Sequence, residues 1–362
     1  MHALQIHAGP RALESIRHQG LRPQDIRAVP AAAGGPKGLV LNPLDRYLFA
    51  HWLRGRGPSV HLVGASVGAW RMACAMLDEP DAALRRLAVD YVAESYDPPT
   101  GERQSAGNIS RRFAVLLERH FGGQQAQVLQ HPRLRLHVLA SRGRRCLRRE
   151  HRLLMPLGGA AAWVANAVDR RHLGGWLERV VFSDPREPLP LKLEDLPTEE
   201  VALEAANLMP AILASGSIPF WLRAVTSIPG APDGAYWDGG LTDYQFHWPW
   251  SRIEANRDGA GLVLYPHFQP SLVPGWLDKP FRQRHRMTPG LDNVIVLSPR
   301  ADWIARLPGG KLPDRQDFKR YASAPAQRMQ AWRAAIQASE QLADEWHEWL
   351  QQGCPLDDVQ PL

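Results

Sequence analysis

Two short apolar runs, each closed by glycines and followed by a helical repeat, set the frame of this chain. Arg27-Ala28-Val29-Pro30-Ala31-Ala32-Ala33 leads into Gly34-Gly35-Pro36-Lys37-Gly38, after which Leu39, Leu41, Leu44, Tyr47 and Leu48 fall at helical spacing. Ser59-Val60-His61-Leu62-Val63 is β-branched, lies between Pro58 and Gly64, and is followed by Gly64-Ala65-Ser66-Val67-Gly68 and an apolar helical stretch through Ala69, Met72, Cys74, Ala75, Met76 and Leu77. A short apolar run without polar alternation is the pattern of a strand buried on both faces. Both segments therefore read as strand, glycine loop, helix.

The remaining pattern extends this frame. Residues 1–26 carry a short helix around Ala12 to His18 with turns at Gly20 and Pro23, and read as a lead-in. Residues 78–131 look mainly helical. Leu134 to Ala140 alternates like a strand, and Arg179 to Ser183 looks like its partner, so residues 142–178 form an insertion between them. That insertion opens with Arg142, Arg144, Arg145, Arg148, Arg149 and Arg152, turns apolar from Leu153 to Val168, and ends on Arg170-Arg171. A helix is expected after Thr198 through Val201, Ala205, Leu208 and Ile212, kinked or split by Pro210. Gly261 to Tyr265 and Asn293 to Leu297 are further strands. Near the C-terminus, Met329, Trp332, Ile336, Ser339, Ala343, Trp346 and Leu350 share one face of a long helix, capped by Ser323 and ended by Gly353. The sum is a three-layer α/β fold with a mostly parallel central sheet: a main domain over residues 27–300 and a helical segment, 301–362, packed on it.

Composition narrows the setting. Hydrophobic residues make up 44% and charged residues 22% of the 362, which places the chain among folded globular proteins. Cys74, Cys146 and Cys354 have neither disulfide nor metal-ligand spacing, which fits a reducing compartment and no metal. The first residues lack a basic stretch followed by an apolar one, and no apolar run is long enough to span a bilayer, so a cytoplasmic protein is expected. The net charge of +6 permits contact with an anionic surface, but no nucleic-acid motif accompanies it and nucleic acid is set aside.

Three short stretches carry candidate chemistry. Gly64 to Gly68 matches G-x-S-x-G between a strand and a helix, the context in which Ser66 projects from the sheet edge as a nucleophile. A helix-entry turn with packing glycines is the plainer reading. Attack by serine creates an oxyanion, which needs backbone N–H donors close by. Gly34, Gly35, Lys37 and Gly38 can supply them, whereas Pro36 has no N–H; a phosphate cradle or a simple turn are alternatives, although the P-loop spacing is absent. A serine hydroxyl also needs a base, and Asp238 in Tyr236-Trp237-Asp238-Gly239-Gly240 offers one, its aromatic neighbours excluding water and raising its pKa. An Asp-Gly-Gly turn without chemistry is the competing view. His247 or His267 could complete a Ser-Asp-His triad in chain order.

Together these stretches resemble the patatin-like phospholipase family. The 34–38 loop looks like its oxyanion loop, Gly64 to Gly68 like its serine elbow, Asp238-Gly239-Gly240 like its Asp-Gly-Gly signature, and Ala214-Ser215-Gly216-Ser217-Ile218-Pro219-Phe220 like the segment before that aspartate. The likeness spans about residues 27–245. It departs at Ala33, where the family often has glycine, and at Leu241-Thr242-Asp243, which replaces an Asn-rich continuation. The resemblance implies a patatin-like three-layer fold and a Ser66–Asp238 dyad that cleaves lipid acyl esters through an acyl-enzyme without cofactor. A non-catalytic lipid-binding protein on the same architecture is the rival. Arginines beside the apolar run with Trp163 would add peripheral contact with an anionic membrane.

Overall fold

A computed structural model of the chain describes residues 2–94, 105–255 and 259–362. Ten strands occur among them: β1 (Leu4–Ala8), β2 (Ile26–Ala31), β3 (Val60–Ala65), β4 (Leu134–Gly143), β5 (Leu177–Ser183), β6 (Thr198–Ala202), β7 (Tyr236–Asp238), β8 (Leu262–Pro266), β9 (Val294–Pro299) and β10 (Val359–Pro361). They form one sheet in the order β10-β1-β9-β8-β2-β3-β4-β5-β6, with β7 paired to β4. Six pairings are parallel; β1 with β9, β4 with β5 and β4 with β7 are antiparallel. The sheet is thus mixed and mostly parallel.

Strand periodicity builds two cores, one on each face. Val29, Leu62, Leu264 and Ile295 face one core, while Ala28, Val63, Val263 and Val296 face the other. The first core is covered by helices: α1 (Pro10–Gln19), α2 (Asn42–Tyr47), α3 (Val67–Ala75), α4 (Pro80–Ala93), α5 (Ala106–Phe121) and α6 (Gln125–Leu129) all contribute buried residues to it or pack beside it. So do α8 (Leu208–Ser215) and α12 (Glu340–Gln351), whereas α7 (Leu154–Val168) belongs to a small separate cluster with Leu147, Leu173 and Trp237. The other face is covered differently. Tyr244, Phe246, Trp248, Trp250, Phe268 and Leu272 sit on loops and one-turn 3₁₀ segments, so the third layer is aromatic side chains on irregular backbone. The architecture is a three-layer α/β fold with one regular and one irregular outer layer.

Three expectations change. The 1–26 lead-in contains β1, held between β9 and β10, and so completes the sheet. The stretch after Thr198 opens as the edge strand β6, parallel to β5, and the helix begins only at Leu208, which leaves Pro210 in the first turn where its missing N–H costs nothing. The long C-terminal helix is two, α11 (Pro325–Ala338) and α12, separated at Ser339 and preceded by the short α9 (Ala301–Ile304) and α10 (Gln316–Arg320). Proline at the first position of α11 starts it, and Ser323 makes no cap. Of the expected helical span 78–131, the part at 95–104 lies outside the described residues.

Candidate active site

Register brings the sequence candidates to one edge. Parallel pairing sets Ala31 of β2 against Gly64 of β3, so the loop after β2 and the turn after β3 leave the sheet side by side. Ala65 pairs with Leu139, and the next residue of β4, Ala140, pairs with Asp238, which brings the Ser66 turn beside the end of β7. Three chain segments far apart in sequence therefore meet at the carboxyl ends of β2 and β3.

The serine turn is tight. Ser66 has φ 57 and ψ −127, a left-handed conformation that a residue with a Cβ rarely adopts, and α3 begins at the next residue. Gly68 is required by a close approach, since a Cβ there would lie 1.9 Å from the Ala31 carbonyl oxygen. The strained turn is tied from behind: Ser66 N–H donates to Ser215 Oγ (2.9 Å), and Ser215 donates to the Leu139 carbonyl (2.5 Å). One turn further, Asp238 N–H donates to the Ser217 carbonyl (2.8 Å). The end of α8 thus fixes both Ser66 and Asp238. Beneath them Arg71 of α3 makes a bidentate pair with buried Asp45 of α2, at 2.6 and 2.8 Å.

The Asp238 carboxylate accepts from Gly240 N–H at 2.7 Å and lies close enough to the Ser66 side chain for the serine to favour its charged form. Burial raises the Asp238 pKa above the ordinary aspartate value, against the opposing pull of Arg315, the Ser66 side chain, the Gly240 N–H and Lys279. Lys279 stacks over the Tyr244 ring at 4.2 Å, and burial together with Lys37 and Arg315 brings its ammonium down to about 8. Arg315, just before α10, lines the same cleft as Ser66, together with Trp70, Tyr91, Phe113, Leu213 and Leu222. The cleft is narrow and partly open to solvent, with a cavity volume of about 30 Å³.

The loop after β2 has become a 3₁₀ turn, Gly35–Leu41, with Gly34 as its cap. In such a turn the cap carbonyl takes the N–H three residues on, which directs the N–H groups of Lys37 and Gly38 inward. No hydrogen bond from the N–H of Gly34 or Gly35 occurs among the described residues. Gly35 sits at φ 57, and a Cβ there would lie 3.2 Å from Arg315 Nε. The Lys37 ammonium stacks over Phe268 at 5.3 Å.

The histidines lie elsewhere. His267 meets the Gln269 carbonyl at 2.5 Å through Nδ1, with burial pushing its pKa down to about 3, and His247 Nε2 meets the Arg286 carbonyl at 2.8 Å. Neither hydrogen-bonds Ser66 or Asp238. The unusual Leu241-Thr242-Asp243 stretch serves as an anchor: Asp243 accepts from Arg179 Nε and Nη2 (both 2.7 Å) and from Trp248 Nε1 (2.7 Å). Arg170 joins the Thr242 carbonyl (2.6 Å) to Asp278 (2.7 Å), and Asp278 in turn accepts from Asn166 of α7 (2.9 Å). Sequence reading named no role for Ser215, Arg315, Lys279 or Tyr244. Ser215 lies in a stretch already singled out, whereas the other three reach the site only through tertiary packing.

No family model and no curated protein sequence matches the chain. Among solved structures it is similar to VipD from Legionella pneumophila, with a TM-score of 0.35 and 12% identity over 95% of this chain and 70% of that one.

Proposed function

We propose that this protein is a serine hydrolase of the patatin-like type that cleaves lipid acyl esters, with Ser66 as nucleophile and Asp238 as base. The observation that carries the reading is the placement of a strained turn serine beside a buried carboxylate, at an apolar cleft that the serine lines. As Ser66 Oγ attacks the acyl carbonyl, its proton passes to Asp238 and the carbonyl oxygen becomes an oxyanion. The free N–H groups of Gly34 and Gly35 are the donors suited to that charge, with Lys37 and Gly38 shaping the turn that presents them. Asp238 then returns the proton to the leaving alcohol. Water repeats the sequence on the acyl-enzyme. Gly64 and Gly68 let the strand, turn and helix close around the nucleophile, and Trp70, Phe113, Leu213 and Leu222 suit an acyl chain.

Ser66→Ala should abolish turnover of nitrophenyl esters in a protein whose circular dichroism is unchanged, and Asp238→Asn should reduce it by at least a thousandfold, because an amide cannot accept the proton. A fluorophosphonate should label Ser66 and no other residue. Undiminished turnover in folded Ser66→Ala protein would overturn the assignment.

A further inference from the structure

The helix α7 is apolar on both sides. Its inward row is Met155, Gly158, Ala162 and Asn166, all buried. Gly158 brings the backbone down onto Leu147, since a Cβ there would lie 2.6 Å from Leu147 Cδ2. The outward row is Leu154, Leu157, Ala161, Val164 and Val168, and the exposed fractions of Leu157, Val164 and Val168 are 66%, 56% and 72%. A surface helix ordinarily turns charged or polar residues to water. Here Leu153 to Val168 contains no charged residue at all.

Two neighbouring loops extend the apolar face. Glu150, just before α7, accepts from Arg223 Nη1 and Ala224 N–H (both 3.1 Å), which ties the start of the helix to the loop bearing exposed Phe220 and Trp221. That loop also supplies Ile218 and Leu222 to the Ser66 cleft. Toward its other end α7 meets the 276–281 loop, through Asn166 on Asp278 and the rings of Trp163 and Phe281 at 6.2 Å, and this loop exposes Trp276. Most of the large apolar side chains exposed among the described residues lie on these three segments.

The charges at the start of this face are mostly basic, and Asp169 at its far end pairs with Arg171 at 2.8 Å. Arg144, Arg145, Arg148, Arg149 and Arg152 are exposed at the start of α7, and the one carboxylate among them, Glu150, is engaged by Arg223. Arg144 donates to the Gly174 carbonyl (2.7 Å) and Arg145 stacks on Trp176. Arg148, Arg149 and Arg152 make no ion pair among the described residues. Fifteen helical residues extend roughly 22 Å, short of the roughly 30 Å of a bilayer core.

We propose that α7, with the 220–221 and 276 loop tips, is an interfacial surface that seats the protein on an anionic lipid bilayer, its apolar row entering the headgroup boundary and Arg148, Arg149 and Arg152 pairing with lipid phosphates. The helix lies in the plane of the interface. The proposal stands on this surface alone; with the hydrolase reading added, it places the cleft mouth against the layer that holds the ester.

The test is flotation of the full chain with vesicles of phosphatidylcholine, and with equimolar phosphatidylcholine and phosphatidylglycerol, using Ser66→Ala protein so that no lipid is consumed. Binding to the anionic vesicles is expected, weakening with salt. Arg148→Gln, Arg149→Gln and Arg152→Gln together should weaken it about a hundredfold, from about fivefold per arginine. Leu157→Gln with Val164→Gln should weaken it at any salt concentration. Made without Ser66→Ala, both sets should retain wild-type turnover of soluble esters, which reports folding. Absence of binding by the parent protein, or undiminished binding by both variant sets, would overturn the proposal. So would self-association abolished by Leu157→Gln, which would assign the face to a second copy. A failed hydrolase reading would appear instead as ester turnover surviving Ser66→Ala, and would leave the vesicle result untouched.

Discussion

Burial favours the protonated form of Asp238, while Arg315, the nearby Ser66 side chain, the Gly240 N–H and Lys279 favour the charged form. Burial wins, and the pKa is raised. On the proposed mechanism Asp238 acts only when ionised, so turnover should fall as pH drops through this raised value, at a higher pH than an ordinary aspartate would give. Removing a favourable positive charge raises the value further. Arg315→Gln should therefore move the acid limb of kcat to higher pH, and Arg315→Lys should move it part of the way back. A pH–rate profile in which Arg315→Gln lowers turnover equally at every pH would mean that Arg315 acts on substrate or on folding rather than on Asp238. Nothing local in Pro313-Asp314-Arg315-Gln316 announces this role, because it depends on tertiary packing that brings a residue from beyond β9 against Gly35.

At the scale of elements, the site rests on how α2 and α3 are joined. Arg71 and Asp45 are both buried and each is the other's charge partner, so removing one strands the other in a medium that penalises it. Arg71→Met should cost about 3–5 kcal/mol in urea denaturation, whereas Arg71→Met combined with Asp45→Leu should recover most of that loss. A single-variant cost below about 1 kcal/mol would show the pair to be solvated. The same elements were the most legible in the sequence: a buried parallel strand reads as an unbroken apolar run, and Gly64 and Gly68 mark the tight turn between it and α3. Legibility failed at the edges. Glu199 and Glu200 of β6 point to solvent from an edge strand, so Val201 alone carries the core signal and its spacing to Ala205 and Leu208 mimics a helix. The break at Ser339 escaped notice because the three-and-four spacing of Trp332, Ile336 and Ala343 runs straight across it.

In the whole molecule, an irregular aromatic layer covers one face of the sheet and helices cover the other, and the candidate site lies at the carboxyl ends of β2 and β3, where loops from both layers converge. That position explains why three candidate stretches could be read singly, while Arg315, Lys279 and Tyr244, which reach them only through tertiary packing, could not. Ser66 gives this arrangement a thermodynamic consequence for the entire fold. The left-handed backbone at Ser66 is sustained by surrounding contacts, a burden on the order of 1–3 kcal/mol that the rest of the chain carries continuously. Ser66→Ala and Ser66→Gly both delete the hydroxyl, so the difference between them isolates this burden. The glycine protein should melt above the alanine protein, and equal midpoints would show the turn to be relaxed. Were the proposed chemistry no longer under selection, position 66 would be expected to drift toward glycine, and losing it would leave a sturdier protein.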